Sequence, residues 1–267
     1  MAKSVIVIGA GITGVSCAEE LRRSGADVTL VDRVPAGDPS QTSFGNAGIL
    51  AREGVMPIAN PSMLAMIPQI MFSPRSPVYM KWSYMVKLMP WAAGFMLNGS
   101  KPKAAHIISG LNTLLYDTVE KHTQLAKGTD AERFITKGDM TFLYNHRRQF
   151  TSDRFANKTR AELGMTWTEL DRDDLLNRDP HISDRYQFGL AYHHHGWITD
   201  PSAYVAALAQ HFQTQGGKIH AGTVTQVGDR TVKMKDGNVL HADTIVLATG
   251  AWSKDLASAL GHKVPLQ

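Results

Sequence analysis

Gly9, Gly11 and Gly14 stand between a β-branched apolar run, residues 5–8, and a stretch of helical character, residues 12–23; a second apolar run, residues 28–31, leads into Asp32. These residue types at this spacing can hold a dinucleotide. Glycine at position 9 lets the chain turn tightly out of a strand, and the missing Cβ at position 11 lets a phosphate approach the main chain. Glycine at position 14 lets the helix lie close to the sheet. A helix start also offers free N–H groups and partial positive charge to a pyrophosphate. Asp32, 18 residues past the last glycine, is placed to accept hydrogen bonds from both hydroxyls of an adenosine ribose. An acid there argues against a 2′-phosphate and leaves FAD and NAD, although Arg33 beside it blurs that exclusion. The competing reading, a Gly-rich turn with no ligand, is disfavoured by the strand, helix, second strand and acid in sequence.

Other residues could also do chemistry. In the polar, Gly-rich segment 35–50, Thr42, Ser43 and Asn46 offer side-chain hydrogen bonds, and Ala47 and Gly48 allow close backbone approach; a plain surface loop is equally compatible. Three adjacent histidines, His193, His194 and His195, suggest a metal. On a strand only His193 and His195 would share a face, and no Cys or paired carboxylate is identifiable beside them, so no metal site is expected. The single cysteine, Cys17, cannot form an internal disulfide and is read as a small helix residue in a reducing compartment.

These groups need elements to position them. The spacing predicts strands at 5–8 and 28–31 around a helix at 12–23 that stops at Ser24-Gly25. Short, Pro-interrupted helices are expected over 56–97, and one helix from 104 to 127 ending at Gly128. A strand at 139–144, a helix at 149–163 stopped by Gly164, an acidic helix within 167–180 and a strand at 187–192 follow. Asp200 and Pro201 mark a helix start, with Tyr204, Val205, Leu208 and Phe212 as its apolar face. Residues 218–227 and 231–235 read as paired strands with Asp236-Gly237 as a turn signal. Residues 244–248 read as an apolar strand closing on Thr249-Gly250, with a helix at 253–260.

At 267 residues the chain can bury a sizeable core. Its 43% hydrophobic and 19% charged content is ordinary for a globular protein, and its net charge of +4 comes from dispersed residues, which argues against a nucleic-acid partner. No secretory pattern or run of about 18 apolar residues is present, so a cytoplasmic location is expected. Eight of the twelve methionines fall in 56–97, with Trp82 and Trp91. An ordinary packed edge of the core is the plainer explanation; the alternative is a patch touching a partner chain or the inner face of a membrane.

The GAGITG turn, the TSFGNAG loop, the GWITDPSAYVAAL segment and the DTIVLATGAWS strand occur in that order. Together they resemble the FAD-dependent D-amino-acid oxidase superfamily, and most of all its bacterial D-amino-acid dehydrogenase branch. The resemblance implies an α/β fold: a Rossmann-like FAD-binding domain, residues 1–60 and 198–267, and a discontinuous α+β substrate domain with a helical insertion, residues 61–197. It also implies that the chain matches only the amino-terminal two-thirds of such an enzyme. By the same resemblance, Gly9, Gly11, Ile12, Thr13 and Gly14 hold the pyrophosphate and Asp32 the ribose, where the family more often has Glu. Thr42, Ser43, Asn46, Ala47 and Gly48 line the pyrophosphate and flavin, Val224 packs against adenine, and Gly250 lies near the nucleotide. Some relatives attach flavin to a histidine where this chain has Gly45, which implies non-covalent FAD.

The implied chemistry is hydride transfer from the α-carbon of a D-amino acid or related amine to flavin N5, giving an imine that hydrolyses to a 2-oxo acid. The electrons pass to a quinone or another carrier. A glycine- or sarcosine-type oxidase using oxygen, an NAD-dependent dehydrogenase and a nucleotide-binding fragment without activity are the rivals. No catalytic residue is assigned. Tyr144, His195 and Trp197 could face substrate, with packing or a strand end the plainer explanation for each.

Overall fold

The protein is described by a computed structural model covering residues 2–72 and 81–264. In chain order these residues form β1 (Ser4–Ile8), α1 (Ile12–Arg23), β2 (Asp27–Asp32), β3 (Ile49–Leu50), α2 (Pro61–Phe72), α3 (Met85–Asn98), α4 (Lys101–Leu115), α5 (Thr118–Ala126), β4 (Ile135–Tyr144), α6 (Arg147–Ser152), α7 (Arg154–Glu162), β5 (Trp167–Leu170), α8 (Arg172–Arg178), β6 (Phe188–Ile198), α9 (Pro201–Thr214), β7 (Lys218–Ala221), β8 (Val224–Gly228), β9 (Thr231–Met234), β10 (Val239–His241), β11 (Thr244–Leu247) and α10 (Ser253–Ala259). The chain divides into two units. The first is Met1–Ile49, Glu120–Thr136 and Trp197–Gln267; the second is Leu50–Val119 and Lys137–Gly196. The segment 120–136, expected in the 61–197 domain, falls in the first unit.

The first unit is built on a parallel sheet of order β11-β1-β2-β7. Val5 pairs with Thr244 on one side and Val28 on the other. Val5, Ile6, Val7 and Ile8 are all buried, as an unbroken β-branched run in a central parallel strand requires. Helix α9 begins as expected: the Asp200 carboxylate accepts from the Ala203 amide at 2.9 Å, and Pro201 occupies the first turn. Tyr204, Val205, Leu208 and Phe212 form its buried face. A second, antiparallel sheet of order β10-β9-β8 packs Val227, Val232 and Met234 into one cluster with Ile6, Ile8 and Val31.

In the second unit β5 pairs antiparallel with β6 in a sheet of order β3-β6-β4. Phe150, Phe188, Leu190 and Tyr192 form an aromatic-rich core with Phe142, Tyr144 and Trp167. Val55, Ile108 and Met165 form a separate helical cluster.

Several expected elements differ. The helix read over 104–127 breaks at Tyr116-Asp117 into α4 and α5, and Gly128 ends it at φ +73°. The helix at 149–163 is two helices, because Asp153 leaves the helical region (φ −83°, ψ 65°) and caps α7 by accepting from the Ala156 amide. Residues 218–227 are two strands in two sheets: the bond from the Gly222 amide to the Asp32 carbonyl, at 2.8 Å, is the last of the parallel pairing with β2, and from Val224 the chain pairs antiparallel with β9. The 167–180 segment opens with β5 before the acidic helix α8, and β4 begins four residues earlier than expected, at Ile135. The Pro-broken segment forms α2 and α3, while Met80, Pro74 and Pro77 lie outside the described residues.

Candidate functional site

Most of the candidate site gathers at the carboxyl ends of β1 and β2. Gly9 leaves β1 at φ +108°, and a Cβ there would lie 2.4 Å from the Ala248 carbonyl oxygen, so the turn needs glycine. The Gly9 amide donates to the Val31 carbonyl at 2.8 Å, the last bond of the β1–β2 ladder. A Cβ on Gly14 would sit 1.7 Å from the Gly9 carbonyl oxygen, so α1 crosses the turn in direct backbone contact. Gly11 is different. It is the extended N-cap of α1, and a Cβ there would meet only Ser43 Oγ, at 3.5 Å. The space in front of Gly11 is therefore open. Ile12 and Thr13 form the first turn, and Thr13 is exposed.

Asp32 ends β2. Its Oδ2 accepts the Ala10 amide at 2.6 Å and the Gln41 side-chain amide at 3.2 Å; Oδ1 accepts only the Val34 amide, at 3.3 Å. The carboxylate thus fastens the glycine turn to β2 while Oδ1 keeps acceptor capacity for a hydroxyl. The Arg33 guanidinium turns to the Trp252 ring.

In the 42–48 loop, Ser43 Oγ accepts the Ile12 amide at 3.0 Å, so this hydroxyl shares the helix N-terminus with any bound phosphate. The Asn46 side chain accepts from the Gly48 amide at 2.8 Å, a local turn. Thr42, Asn46 and Ala47 are exposed. Gly48 is buried at φ +68°, with a virtual Cβ 2.3 Å from the Ile198 carbonyl oxygen; chain packing by itself accounts for this glycine. Val224 lies at the start of β8 against the cluster holding Ile8 and Val31. Gly250 follows β11 at φ +55°, exposed, with open space where a Cβ would be.

Of the residues weighed for substrate contact, Tyr144 and His195 pack inside the second unit. Tyr144 joins Phe150 and Phe188, each with ring centroids 6.1 Å away. His195 is 3% exposed; its Nδ1 donates to the His193 carbonyl at 2.9 Å and its Nε2 contacts the buried Glu53 carboxylate. The Glu53 amide, 3.5 Å from Nε2, is too distant to compete. Burial alone would lower the His195 pKa, but the Glu53 hydrogen bond and charge outweigh it and hold the pKa above its usual value. His193 faces elsewhere, to Asp139 at 2.9 Å and Thr168 at 3.0 Å. The strand runs through all three histidines, but His194 has φ +63°, which breaks the expected alternation. Trp197 is 38% exposed.

A model of the family described as "DAO: FAD dependent oxidoreductase" matches residues 4–267. The chain belongs to this family. Among its relatives, a D-amino-acid oxidase of Bradyrhizobium diazoefficiens is 32% identical over 99% of this chain and 64% of its own length. A D-amino acid dehydrogenase of Rhizobium johnstonii is 27% identical over 98% of this chain and 64% of its own. The DAO-family chain thus spans about two-thirds of these relatives. The solved glycine oxidase of Bacillus cereus shares its fold, with a TM-score of 0.60 at 16% identity over 96% of this chain and 57% of that one. The cofactor of the family is FAD. The open space before Gly11, the exposed Thr13 in the first turn of α1 and the spare Asp32 oxygen fit its pyrophosphate and ribose.

Three residues among these contacts carried no signal of their own in the sequence. Gln41 is buried, accepts the Gly37 amide at 2.9 Å and braces Asp32. Trp252 holds Arg33, and Glu53 pairs with a histidine 142 residues away.

Proposed function

We propose that the protein is a flavoenzyme of D-amino-acid oxidation, with FAD held non-covalently in the first unit. The observation that carries this reading is the ligand-open glycine cradle in a chain that matches the FAD-dependent family from residue 4 to 267. Gly11 and the first-turn amides of α1 take the pyrophosphate, with Ser43 beside them. Asp32 takes the ribose, Val224 the adenine side, and Gly250 leaves room near the nucleotide. Thr42, Asn46, Ala47 and Gly48 border the flavin side, and Gly45 offers no side chain for a covalent link. Held by these residues, FAD would supply the two-electron acceptor for oxidation of a substrate carbon–nitrogen bond to an imine, which water would convert to a 2-oxo acid and ammonia. The chain's part is to fix the dinucleotide and exclude alternatives.

The relatives bear both oxidase and dehydrogenase names, so the acceptor is oxygen or another carrier such as a quinone. Cys17 as sole cysteine favours a reducing compartment. The test is absorbance in the flavin bands of the purified chain, then anaerobic addition of D-amino acids. Bleaching supports the assignment. Flavin without bleaching by any D-amino acid or glycine reduces it to nucleotide binding, and no flavin overturns it.

A further inference from the structure

The histidine run of β6 divides at His194. That residue holds φ +63°, a left-handed conformation uncommon for any residue with a side chain. His195, beyond it, sinks against Glu53, while His193 stays at the surface with 32% of its side chain exposed. Strand β6 pairs with both β4 and β5. Asp139 on β4 and Thr168 on β5 flank His193, so the three side chains form one row across three strands. Thr168 ends that row and is exposed.

The contacts give the row a direction. Asp139 Oδ1 lies 2.9 Å from His193 Nδ1, and His193 Nε2 lies 3.0 Å from the Thr168 hydroxyl. The hydrogen bond with His193 holds the Asp139 carboxyl below its usual pKa against partial burial, and Arg178, 3.7 Å from Oδ2, adds to the effect. Asp139 is therefore an ionised carboxylate with no proton to give, so Nδ1 of a neutral His193 is the donor. Nε2 then turns its lone pair to Thr168, whose O–H donates to it. A hydroxyl on a ring nitrogen whose tautomer a carboxylate fixes is the arrangement of an activated nucleophile.

We propose that Thr168, His193 and Asp139 form an acyl-transfer site, with the Thr168 hydroxyl as nucleophile, His193 as general base and Asp139 as the positioning residue. Thr168 Oγ1 bonds to the carbonyl carbon of an ester while its proton passes to His193 Nε2. The ester C–O bond breaks, and the leaving alcohol takes that proton. Water then attacks the acyl-threonine through the same base, releasing a carboxylic acid and restoring the hydroxyl. General-base assistance supplies about 10²–10⁴-fold, which suits an activated ester with a good leaving group and not an amide. The site lies within the second unit and does not depend on the flavin reading.

The test is p-nitrophenyl acetate with the purified chain at about pH 8, where histidine is neutral, followed by acid quench and peptide mass spectrometry. An acetyl group on Thr168 is expected. It should form about a hundredfold more slowly in His193→Gln and Asp139→Asn, be absent from Thr168→Val and persist in Thr168→Ser, all with circular dichroism melts like the parent's. Histidine ¹⁵N shifts should move the His193 proton from Nδ1 to Nε2 in Asp139→Asn, because Arg178 claims the amide oxygen and the NH₂ faces Nδ1. The labelling site in the parent protein decides the proposal even where a variant melts early. No acetyl on Thr168, acetyl on His193 or lysines alone, or a parental rate of Thr168 acetylation in His193→Gln or Asp139→Asn would each overturn it.

Discussion

The Arg33 guanidinium lies 4.5 Å from the centroid of the Trp252 indole. This contact links the residue after β2 to the turn after β11, at the mouth of the candidate ribose site. With Arg33 held on Trp252, the Asp32 carboxylate bonds to Ala10 and Gln41. Trp252→Ala releases the cation to compete for Asp32. At roughly 0.5–1 kcal/mol for an exposed cation–π contact, FAD should bind about two- to fivefold more weakly with unchanged thermal stability. Fluorescence titration of the apoprotein measures both outcomes, and unchanged affinity would remove Arg33 and Trp252 from the site.

Gly11 and Gly14 should separate ligand binding from folding. Gly11→Val puts its side chain where only Ser43 Oγ lies near, so the fold should lose about 1 kcal/mol while the cofactor is lost. Gly14→Ala drives a methyl into the Gly9 carbonyl and should cost about 3 kcal/mol or more. Denaturant melts and the flavin bands together decide; a Gly11→Val protein that keeps its flavin would refute the placement of the pyrophosphate.

Asp32→Ala removes the acceptor of the Ala10 amide and of the Gln41 side chain together. A loss of about 1–3 kcal/mol in stability is expected from the unpaired groups, with loss of flavin. Gln41→Ala should give a smaller loss of both, because Asp32 keeps Ala10.

The pH response of the second unit follows from His195 and Glu53. The His195 pKa is raised in the folded state, so the pair stabilises fully below the ordinary histidine value near 6.5 and is lost as pH rises through the higher folded value. Urea midpoints should therefore fall on the alkaline side of about pH 6.5. Glu53→Gln should remove that slope and cost about 3 kcal/mol at pH 6, because it strips a buried histidine of its counter-charge. An unchanged slope in Glu53→Gln would place the pH dependence elsewhere.

At the acid end, Glu19 is fully buried in α1. Burial would raise its pKa, but hydrogen bonds from Arg22 at 2.9 Å and Arg23 at 2.6 Å outweigh this and lower it. Its contribution is present above the ordinary carboxylate range and is lost as pH falls through the depressed value. Glu19→Gln should lower stability above the depressed value and shift the acid-unfolding midpoint upward in pH, read by circular dichroism.

Local chemistry was legible in the chain and distant pairing was not. The Gly9–Gly14 turn, helix α1 to its last residue and the Asp200–Pro201 start of α9 all follow from steric and capping rules within a few residues. The break after Leu115 leaves no such mark, since Tyr116 and Asp117 are tolerated in a helix. The strand split near Gly222 reflects a change of partner, from β2, whose Asp32 lies 190 residues earlier in the chain, to β9, which no pattern over 218–227 encodes. Glu53 and His195 meet for the same kind of reason, through packing inside the second unit.

Strand β1 has β2 as a neighbour almost at once, but its other flank waits for β11; Ser4 and Asp243, which bond across that seam at 2.9 Å, are 239 residues apart. A ribosome adding about 5–20 residues per second leaves that flank bare for on the order of ten seconds or longer. Throughout that interval the nascent glycine turn lacks Ala248, against which Gly9 closes, so cofactor capture must wait until β11 is made while an open, β-branched edge invites wrong partners.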